Sequence, residues 1–451
     1  SNPLLNRVYR AVFQGIRGNY HSIPTDCPQR DERQGWLGDR SEESRGETYI
    51  FGNAPLYAKW LGDMADAQRP SGSMPDIAPA YWPIYSDDVV WPSTSIIIPE
   101  MLREQYGDTR VVARHYACMK KWMDYVARRY LTNGIIAKDS YGDWCAPPRD
   151  RARIWTQDPD RMTSGALLAT AYFYHDCRLM ENYARLLDKP SGAAHFAGLA
   201  SNLKTAFNEK FLNRNLGRYN NGSETSDVLP LAFDLVPDDM RKRIFDHLVN
   251  KIMNDGDHIG VGLVGGQYLM RVLTRNGRPD LAYAIAGQTT YPSWGYMIEN
   301  GATTIWELWN GNTADQEMNS RNHVMLVGDL VVWLYEDLAG IKSDPAAPGF
   351  KHVIMKPHPV HGLTFVRAAH VSPYGLIVSD WRRNGTNFHW RITVPVNATA
   401  SVYVPASSPG HVYERGAPAA RNPFVKFLRM DGDYAVFNVG SGTYRFTSQL
   451  R

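Results

Sequence analysis

The spacing of apolar residues changes period once, near residue 341, and this constrains the fold more than any other feature. Before that point the period is helical. Residues 109–130 carry it most clearly: Val111, Val112, His115, Tyr116, Met119, Trp122, Met123 and Val126 follow the i, i+3, i+4, i+7 rule of an amphipathic helix. The same spacing predicts helices over 56–67, 95–105, 164–187, 193–211, 238–254, 262–275, 281–289 and 322–338. Asp238-Asp239 starts one of these with acidic residues in its first turn, Gly340 closes another, and Asn276-Gly277-Arg278-Pro279 breaks the chain between two.

After the linker-like Ser343-Asp344-Pro345-Ala346-Ala347-Pro348-Gly349, polar and apolar residues alternate. Strands are predicted over 351–355, 364–370, 376–381, 386–393, 400–404, 424–429 and 434–439, with turns at Asn384-Gly385 and Asp431-Gly432. The expectation is a mostly α chain in two domains. A helical domain occupies 1–341, and a small antiparallel β-sandwich occupies 342–451. An even set of about ten to twelve helices with long loops fits a toroid of helical hairpins, whose loops converge on a central pit. Periodicity indicates helices and not their closure.

Composition excludes several function classes. Lys+Arg 49 against Asp+Glu 46 leaves +3, with no basic runs, so a nucleic-acid partner is not expected. The longest apolar stretches, such as 326–334, fall far short of the ~20 residues that span a bilayer, so no membrane span is expected. Cys27, Cys118, Cys145 and Cys177 match no zinc spacing and are too sparse for a disulfide scaffold, so free thiols are expected. No signal peptide is visible and Ser1 is not an initiator Met, so compartment and oligomeric state are not legible.

Trp and Tyr number 13 and 25 against 15 Phe. Their flat apolar faces and polar edges suit either a large core or a sugar ring. The densest polar stretch, 25–40, holds Asp26, Asp31, Glu32 and Asp39 together with Arg30, Arg33 and Arg40, and its Pro and Gly oppose a regular helix. It reads as a solvated charged loop or as a site. In a site, a carboxylate among arginines stays ionised, whereas one turned against Trp36 is desolvated and raised, which separates acid from substrate holder. Glu307, between Trp306 and Trp309, is either a buried structural acceptor or an acid/base group. His323 falls at a predicted helix start that Asn322 could cap, where a structural role is the simpler reading. Asp87 and Asp88 with Trp82 and Trp91, Asp143 with Trp144, and the Trp294 loop repeat the pairing of acid and indole. Carboxylates that take hydroxyl pairs and indoles that stack on ring faces make a kit for binding sugar.

The stretch DCPQRDERQGWLGD (26–39) resembles the signature of bacterial α-L-rhamnosidases of glycoside hydrolase family 78. The resemblance continues through SGSMPDIAP (71–79), YGDW (141–144), YPSWGYM (291–297), GATTIWELWNG (301–311), MNSRNH (318–323), PGFKHVIMKP (348–357) and PYGLIVSDW (373–381). It implies an (α/α)6 toroidal barrel followed by the β-sandwich, and inverting hydrolysis of terminal α-L-rhamnosides. By resemblance Glu32 is the general acid and Glu307 the general base. Asp26, Arg30, Trp36 and Asp39 hold the sugar, and Trp91, Trp144 and His323 match less securely. No metal or organic cofactor is implied; the implied partner is a rhamnose-containing glycoside or oligosaccharide.

Two positions depart from the family pattern. Trp91-Pro92-Ser93 replaces the usual Trp-Gly-Asp, and Leu308 replaces a common Arg. The first bears on rhamnose preference, which keeps an L-mannoside or a rhamnosyl-uronide as alternative substrates and a non-catalytic carbohydrate-binding relative as an alternative class. The family also usually carries β-rich domains before the barrel, whereas Asn2-Pro3-Leu4-Leu5 stands at about the barrel's own start. The expectation is a short form or a fragment.

Overall fold

The computed structural model describes residues 1–314 and 319–450; Met318 of the MNSRNH stretch lies outside the described residues. The part before residue 341 is helical. Its first helix, Pro3–Gly18, is one the apolar spacing passed over. Asn2 caps it, Oδ1 accepting the Leu5 N–H at 3.2 Å, and Pro3 sits in the first turn, where no intrahelical N–H is needed. Leu5, Val8, Val12 and Ile16 form its buried stripe. Arg110–Tyr130 buries the eight residues its register singles out. Gly165–Leu186 packs along Pro190–Phe211, and Asp238–Asn254 opens on its acidic pair.

Two expected helices are interrupted where two glycines meet. Residues 262–275 divide into Leu263–Gly266 and Leu269–Arg275, and 322–338 does not start as a helix. Gly328 adopts φ +56°, and a Cβ there would stand 2.4 Å from the Gly266 carbonyl oxygen. This backbone contact needs glycine and leaves no room for continuous helix on the Gly328 side. Asp329 N–H then donates to Gly266 O at 2.9 Å. Helix resumes at Leu330–Val332, runs on as a π-helical turn over Trp333–Leu338, and closes at Gly340 with φ +76°. His323 therefore lies in a loop, ahead of the 3-10 turn Met325–Val327, and Asn322 caps no helix there. The short helices Glu224–Ala232 and Trp294–Glu299 add to the expected set. The first helix packs against Trp294–Glu299, with Arg7 Nη1 2.7 Å from Glu299 Oε1, so early and late parts of the helical region are adjacent.

From Lys342 onward the chain forms two sheets. The five-stranded sheet runs in the order Val425–Asp431, Tyr434–Val439, Thr399–Pro405, His352–Met355, Lys342–Ser343. The six-stranded sheet runs Ala417–Pro418, Tyr413–Glu414, Gly442–Gln449, Asn387–Val394, Gly375–Asn384, Phe365–Ser372. The expectation of purely antiparallel pairing is corrected at one place: Thr399–Pro405 runs parallel to His352–Met355, because a long excursion through the other sheet separates them. Stacking of Phe437 on Phe446, with centroids 6.1 Å apart, joins the sheets. The buried Trp381 indole N–H donates to Leu338 O at 2.9 Å and Ser379 Oγ to Ala339 O at 2.6 Å, which fastens the sheets to the end of the last helix.

Candidate active site

The acidic loop is held from below by a buried arginine. Arg40 is fully buried, with Nε 2.9 Å from Glu47 Oε1, and its Nη2 donates to the Thr25 carbonyl at 3.1 Å. Removing a guanidinium from water is tolerable only with such partners. Just above, Asp26 closes the loop on itself. Its N–H donates to Gln34 O at 2.9 Å, and its Oδ1 accepts the Gln34 N–H at 2.7 Å. The intervening residues 27–33 are thereby pushed out as a projecting finger that carries Arg30 and Glu32.

Glu32 accepts from two directions. Oε1 takes the Trp36 indole N–H at 2.8 Å, and Oε2 lies 2.8 Å from Arg30 Nε and 2.5 Å from Nη2. The sequence contrast between a carboxylate among arginines and one against Trp36 thus falls on a single residue. Arg30 also reaches Glu307, with Nη1 3.1 Å from Oε2 and Nη2 3.4 Å from Oε1. Glu307 is buried and pinned by Ser320, whose N–H donates to Oε2 at 2.7 Å while the Glu307 N–H donates to Ser320 O at 2.8 Å. Gln29 ties the finger to the same residue, its Nε2 2.7 Å from Ser320 Oγ.

The carboxyls that the site raises are Asp26 and Asp39. Burial, followed by the charge of Glu32, pushes Asp26 up to about 7, and burial pushes Asp39 well above the carboxylate range. Burial pushes His323 down to about 3, so the ring is neutral. Its Nδ1 accepts the Met325 N–H at 3.3 Å, which assigns the proton to Nε2, 3.8 Å from Asp26 Oδ2. Asp26, Cys27 and Glu32 are the only grouping among the described residues whose ligand atoms could surround a metal ion. Arg30 already engages Glu32, and burial raises the Cys27 thiol, which disfavours the thiolate a metal requires.

These groups open into a cavity of about 440 Å³ lined by Arg30, Asp31, Glu32, Trp36, Asp39, Trp82, Trp91, Tyr141, Trp144, Glu307, His323 and Met325. Its aromatic wall is continuous. Tyr141 meets Trp36 edge-on at 6.3 Å, tilts on Trp91 at 4.4 Å, and meets Trp144 edge-on at 5.6 Å. Trp91 reaches the wall because Gly38 lies beneath it; a Cβ at Gly38 would stand 2.4 Å from the indole. Arg30, Glu32, Trp36, Asp39, Trp91, Trp144, Glu307 and His323 are thus brought together, and Asp26 sits immediately behind them.

Two residues singled out in the sequence lie elsewhere. Asp143 is half-buried and taken up by bonds within the chain, accepting from Gly262, Val264 and Gly265 N–H at 2.9, 2.8 and 3.2 Å and from the Thr225 hydroxyl; it fixes the loop that carries Trp144. Trp294 is 1% exposed, donates to Leu326 O at 2.7 Å and lies edge-on to Trp309. Tyr141 went unremarked as a site residue, although it stands in the quoted YGDW stretch; its hydroxyl donates to Asp76 Oδ2 at 2.6 Å. Neither Ser93 nor Leu308, the two departures from the family pattern, lines the cavity. Ser93 Oγ donates to buried Asp176 at 2.7 Å, and Leu308 is 1% exposed.

A cavity in which two glutamates share one arginine beneath a wall of indoles, on a helical scaffold, has the character of a sugar-processing site. Residues 1–338 match the bacterial α-L-rhamnosidase 6 hairpin glycosidase domain, and residues 340–417 match the bacterial α-L-rhamnosidase C-terminal domain. The chain belongs to the bacterial α-L-rhamnosidase family. It is 34% identical over 451 residues to an α-L-rhamnosidase of Streptomyces avermitilis, covering 99% of this chain and 41% of that protein. It is 31% identical to one of Formosa agariphila, covering 100% of this chain and 48% of the relative. The crystal structure of the Streptomyces avermitilis enzyme complexed with L-rhamnose superposes with a TM-score of 0.90 over 99% of this chain and 41% of that one. The α-L-rhamnosidase from Dictyoglumus thermophilum, 36% identical, superposes with 0.90 over 100% of this chain and 49% of that one. The chain thus spans less than half the length of these relatives.

Proposed function

We propose that the chain is an α-L-rhamnosidase acting by inversion. Glu32 protonates the glycosidic oxygen, Glu307 activates water, and Asp26, Arg30, Trp36, Asp39, Trp91, Trp144 and His323 hold the sugar. The observation that carries this reading is that Glu32 and Glu307, remote in sequence, meet at one cavity through a shared arginine. We read the helical part, 1–341, as a closed (α/α)6 toroid and 342–451 as a separate domain; the adjacency of Pro3–Gly18 and Trp294–Glu299 supports closure.

The residues suggest how the steps proceed. Glu32 has both oxygens engaged as acceptors, and arginine cannot take up a proton. For Glu32 to act as an acid, the Arg30 contact on Oε2 opens as the sugar enters, and Arg30 turns to a sugar hydroxyl. Inversion needs two carboxyls about 6.5–9.5 Å apart, with water between base and anomeric carbon. In this scheme the guanidinium holds that gap in the free protein. Burial favours the protonated form of Asp39, which can donate one hydrogen bond and accept another and so suits a hydroxyl pair. The aromatic wall takes the apolar face of the ring. The departure at Ser93 lies off the cavity, which favours rhamnose over the related sugars it brought into question.

A panel of aryl glycosides tests the reading. Aryl α-L-rhamnoside is expected to turn over at least a hundredfold faster than aryl α-L-mannoside. Comparable rates would move the assignment to the related sugar, and tight binding without turnover would leave a carbohydrate-binding protein.

A further inference from the structure

The outer face of the six-stranded sheet gathers arginines that the candidate active site does not use. Register sets Arg367 opposite Asp380, Asp380 opposite Arg391, and Arg391 opposite Arg445, in one row across four strands. Arg415 extends that row, its N–H donating to Arg445 O at 3.0 Å, and in the next row Arg382 stands opposite His389. The alternate positions Trp381, Trp390 and Phe446 are buried on the opposite side, so the charged side chains share one face. Together they line a groove of about 710 Å³.

Among the described residues, the ion pairs in this groove are long. Asp380 lies 3.4 Å from Arg367 Nε, 3.8 Å from Arg382 Nε and 3.5 Å from Arg391 Nη2, all longer than the usual hydrogen bond. Glu414 is 3.3 Å from Arg415 Nε. Among the described residues, the side chains of Arg367, Arg382, Arg391 and Arg445 donate no hydrogen bond, and Asp380 Oδ1 accepts none. Like charges directly opposite one another destabilise a sheet. The Arg391–Arg445 pair is therefore a cost to the fold that the 3.5 Å ion pair of Arg391 with Asp380 offsets only in part, and a carboxylate laid across the two forks would offset the rest.

We propose that this face binds an acidic oligosaccharide, a uronate-bearing sugar chain whose carboxylates seat on Arg391 and Arg445 and on Arg367 and Arg382. Neighbouring strands lie about 4.8 Å apart, which spaces the guanidinium groups in steps comparable to the advance of one sugar ring. Asp380 favours a sugar acid over a phosphodiester chain. An acceptor at the centre of the row can take a hydrogen bond from a ring hydroxyl, and a deoxyribose-phosphate backbone offers none. Phe365 and Tyr413, 39% and 42% exposed at the two sides of the face, offer rings for stacking. The choice of a sugar rests on the proposed glycosidase reading; the need for an anion rests on the arginine row alone.

Affinity electrophoresis of the full chain through gels containing polygalacturonate or neutral dextran tests this, with duplex DNA titrated at the same ionic strength. Polygalacturonate is expected to retard the protein and dextran not. Arg391→Thr with Arg445→Thr should weaken that retardation at least tenfold, leave kcat/KM on an aryl α-L-rhamnoside unchanged, and not lower Tm. If that pair lowers Tm, Arg367→Gln with Arg382→Gln carries the same expectation. No retardation of the unaltered chain, equal retardation of the variants, or tighter binding of duplex DNA through the same arginines would overturn the proposal. A chain that binds polygalacturonate but hydrolyses no aryl rhamnoside would sink the proposed function and leave this inference standing.

Discussion

Glu32 and Glu307 meet on one guanidinium: Arg30 Nη2 lies 2.5 Å from Glu32 Oε2, and Nη1 3.1 Å from Glu307 Oε2. One cation therefore serves both carboxyls of the proposed acid/base pair. The pair is held from opposite sides, Glu32 by the Trp36 indole and Glu307 by the Ser320 backbone. Separating the two roles by substitution is the first consequence.

Glu307→Gln should lower kcat by about 10²–10⁴ on every aryl α-L-rhamnoside, because the water loses its base whatever the leaving group. Glu32→Gln should behave differently. Its loss should be large with a poor leaving group and small with a nitrophenolate, which departs without a proton. Steady-state rates across leaving groups of graded pKa check this, and equal slopes for the two variants would contradict the assignment.

Trp36→Phe keeps a ring on the cavity wall but removes the donor to Glu32 Oε1. A hydrogen bond to a charged group contributes about 1.5–3 kcal/mol, so kcat should fall roughly 10- to 100-fold with KM little changed. A rise in KM at constant kcat would show that the indole binds sugar without supporting Glu32.

Asp26 gives the stability profile a definite sign. Its carboxyl is raised from the ordinary 3.8 to about 7 in the folded chain. Its contribution is therefore fully present below about pH 4 and is lost as pH rises through about 7. Asp26→Asn keeps an acceptor for the Gln34 N–H and does not titrate. Between pH 4 and pH 8 the unaltered chain should lose on the order of 2–4 kcal/mol of stability relative to the variant, read as a falling Tm. A constant difference in Tm would remove Asp26 from the account.

Gly38→Ala puts a Cβ where the Trp91 indole stands. Overpacking of this kind typically costs about 1–3 kcal/mol. Displacement of Trp91 should also raise KM for the sugar, readable from thermal melts and kinetics on the same sample.

Ser93→Ala removes a buried hydroxyl that donates to Asp176, whose carboxyl burial pushes up to about 8. A cost of about 1–2 kcal/mol in stability is expected, with the ratio of rhamnoside to mannoside turnover unchanged. A shift in that ratio would bring this position back into the specificity of the cavity.

What was legible in the sequence follows from what local pattern encodes. The stripe of Arg110–Tyr130 and the alternation in Asn387–Val394 are one-dimensional signals of burial, and both appear as read. The acidic loop was visible as a cluster, and the resemblance paired it with Glu307. Tertiary contact decided the rest. Nothing local distinguishes Trp144, which lines the cavity, from Trp294, which is buried away from it; both follow polar or small residues in loops. Asp143 looked like a sugar ligand because the backbone N–H groups it accepts, from Gly262 to Gly265, are distant in sequence. The helix expected over 322–338 is interrupted by contact between Gly328 and Gly266, which periodicity cannot register. The carboxyls raised by burial proved to be Asp26 and Asp39, behind and beside the pair the loop suggested.

The central claim is that Glu32 and Glu307 act across the sugar by a single displacement. It is tested most directly by recording proton NMR spectra in the first minutes of hydrolysis of an aryl α-L-rhamnoside. The account predicts β-L-rhamnose as the first product, with the α-anomer growing in only by mutarotation. α-L-Rhamnose as the first product would contradict it.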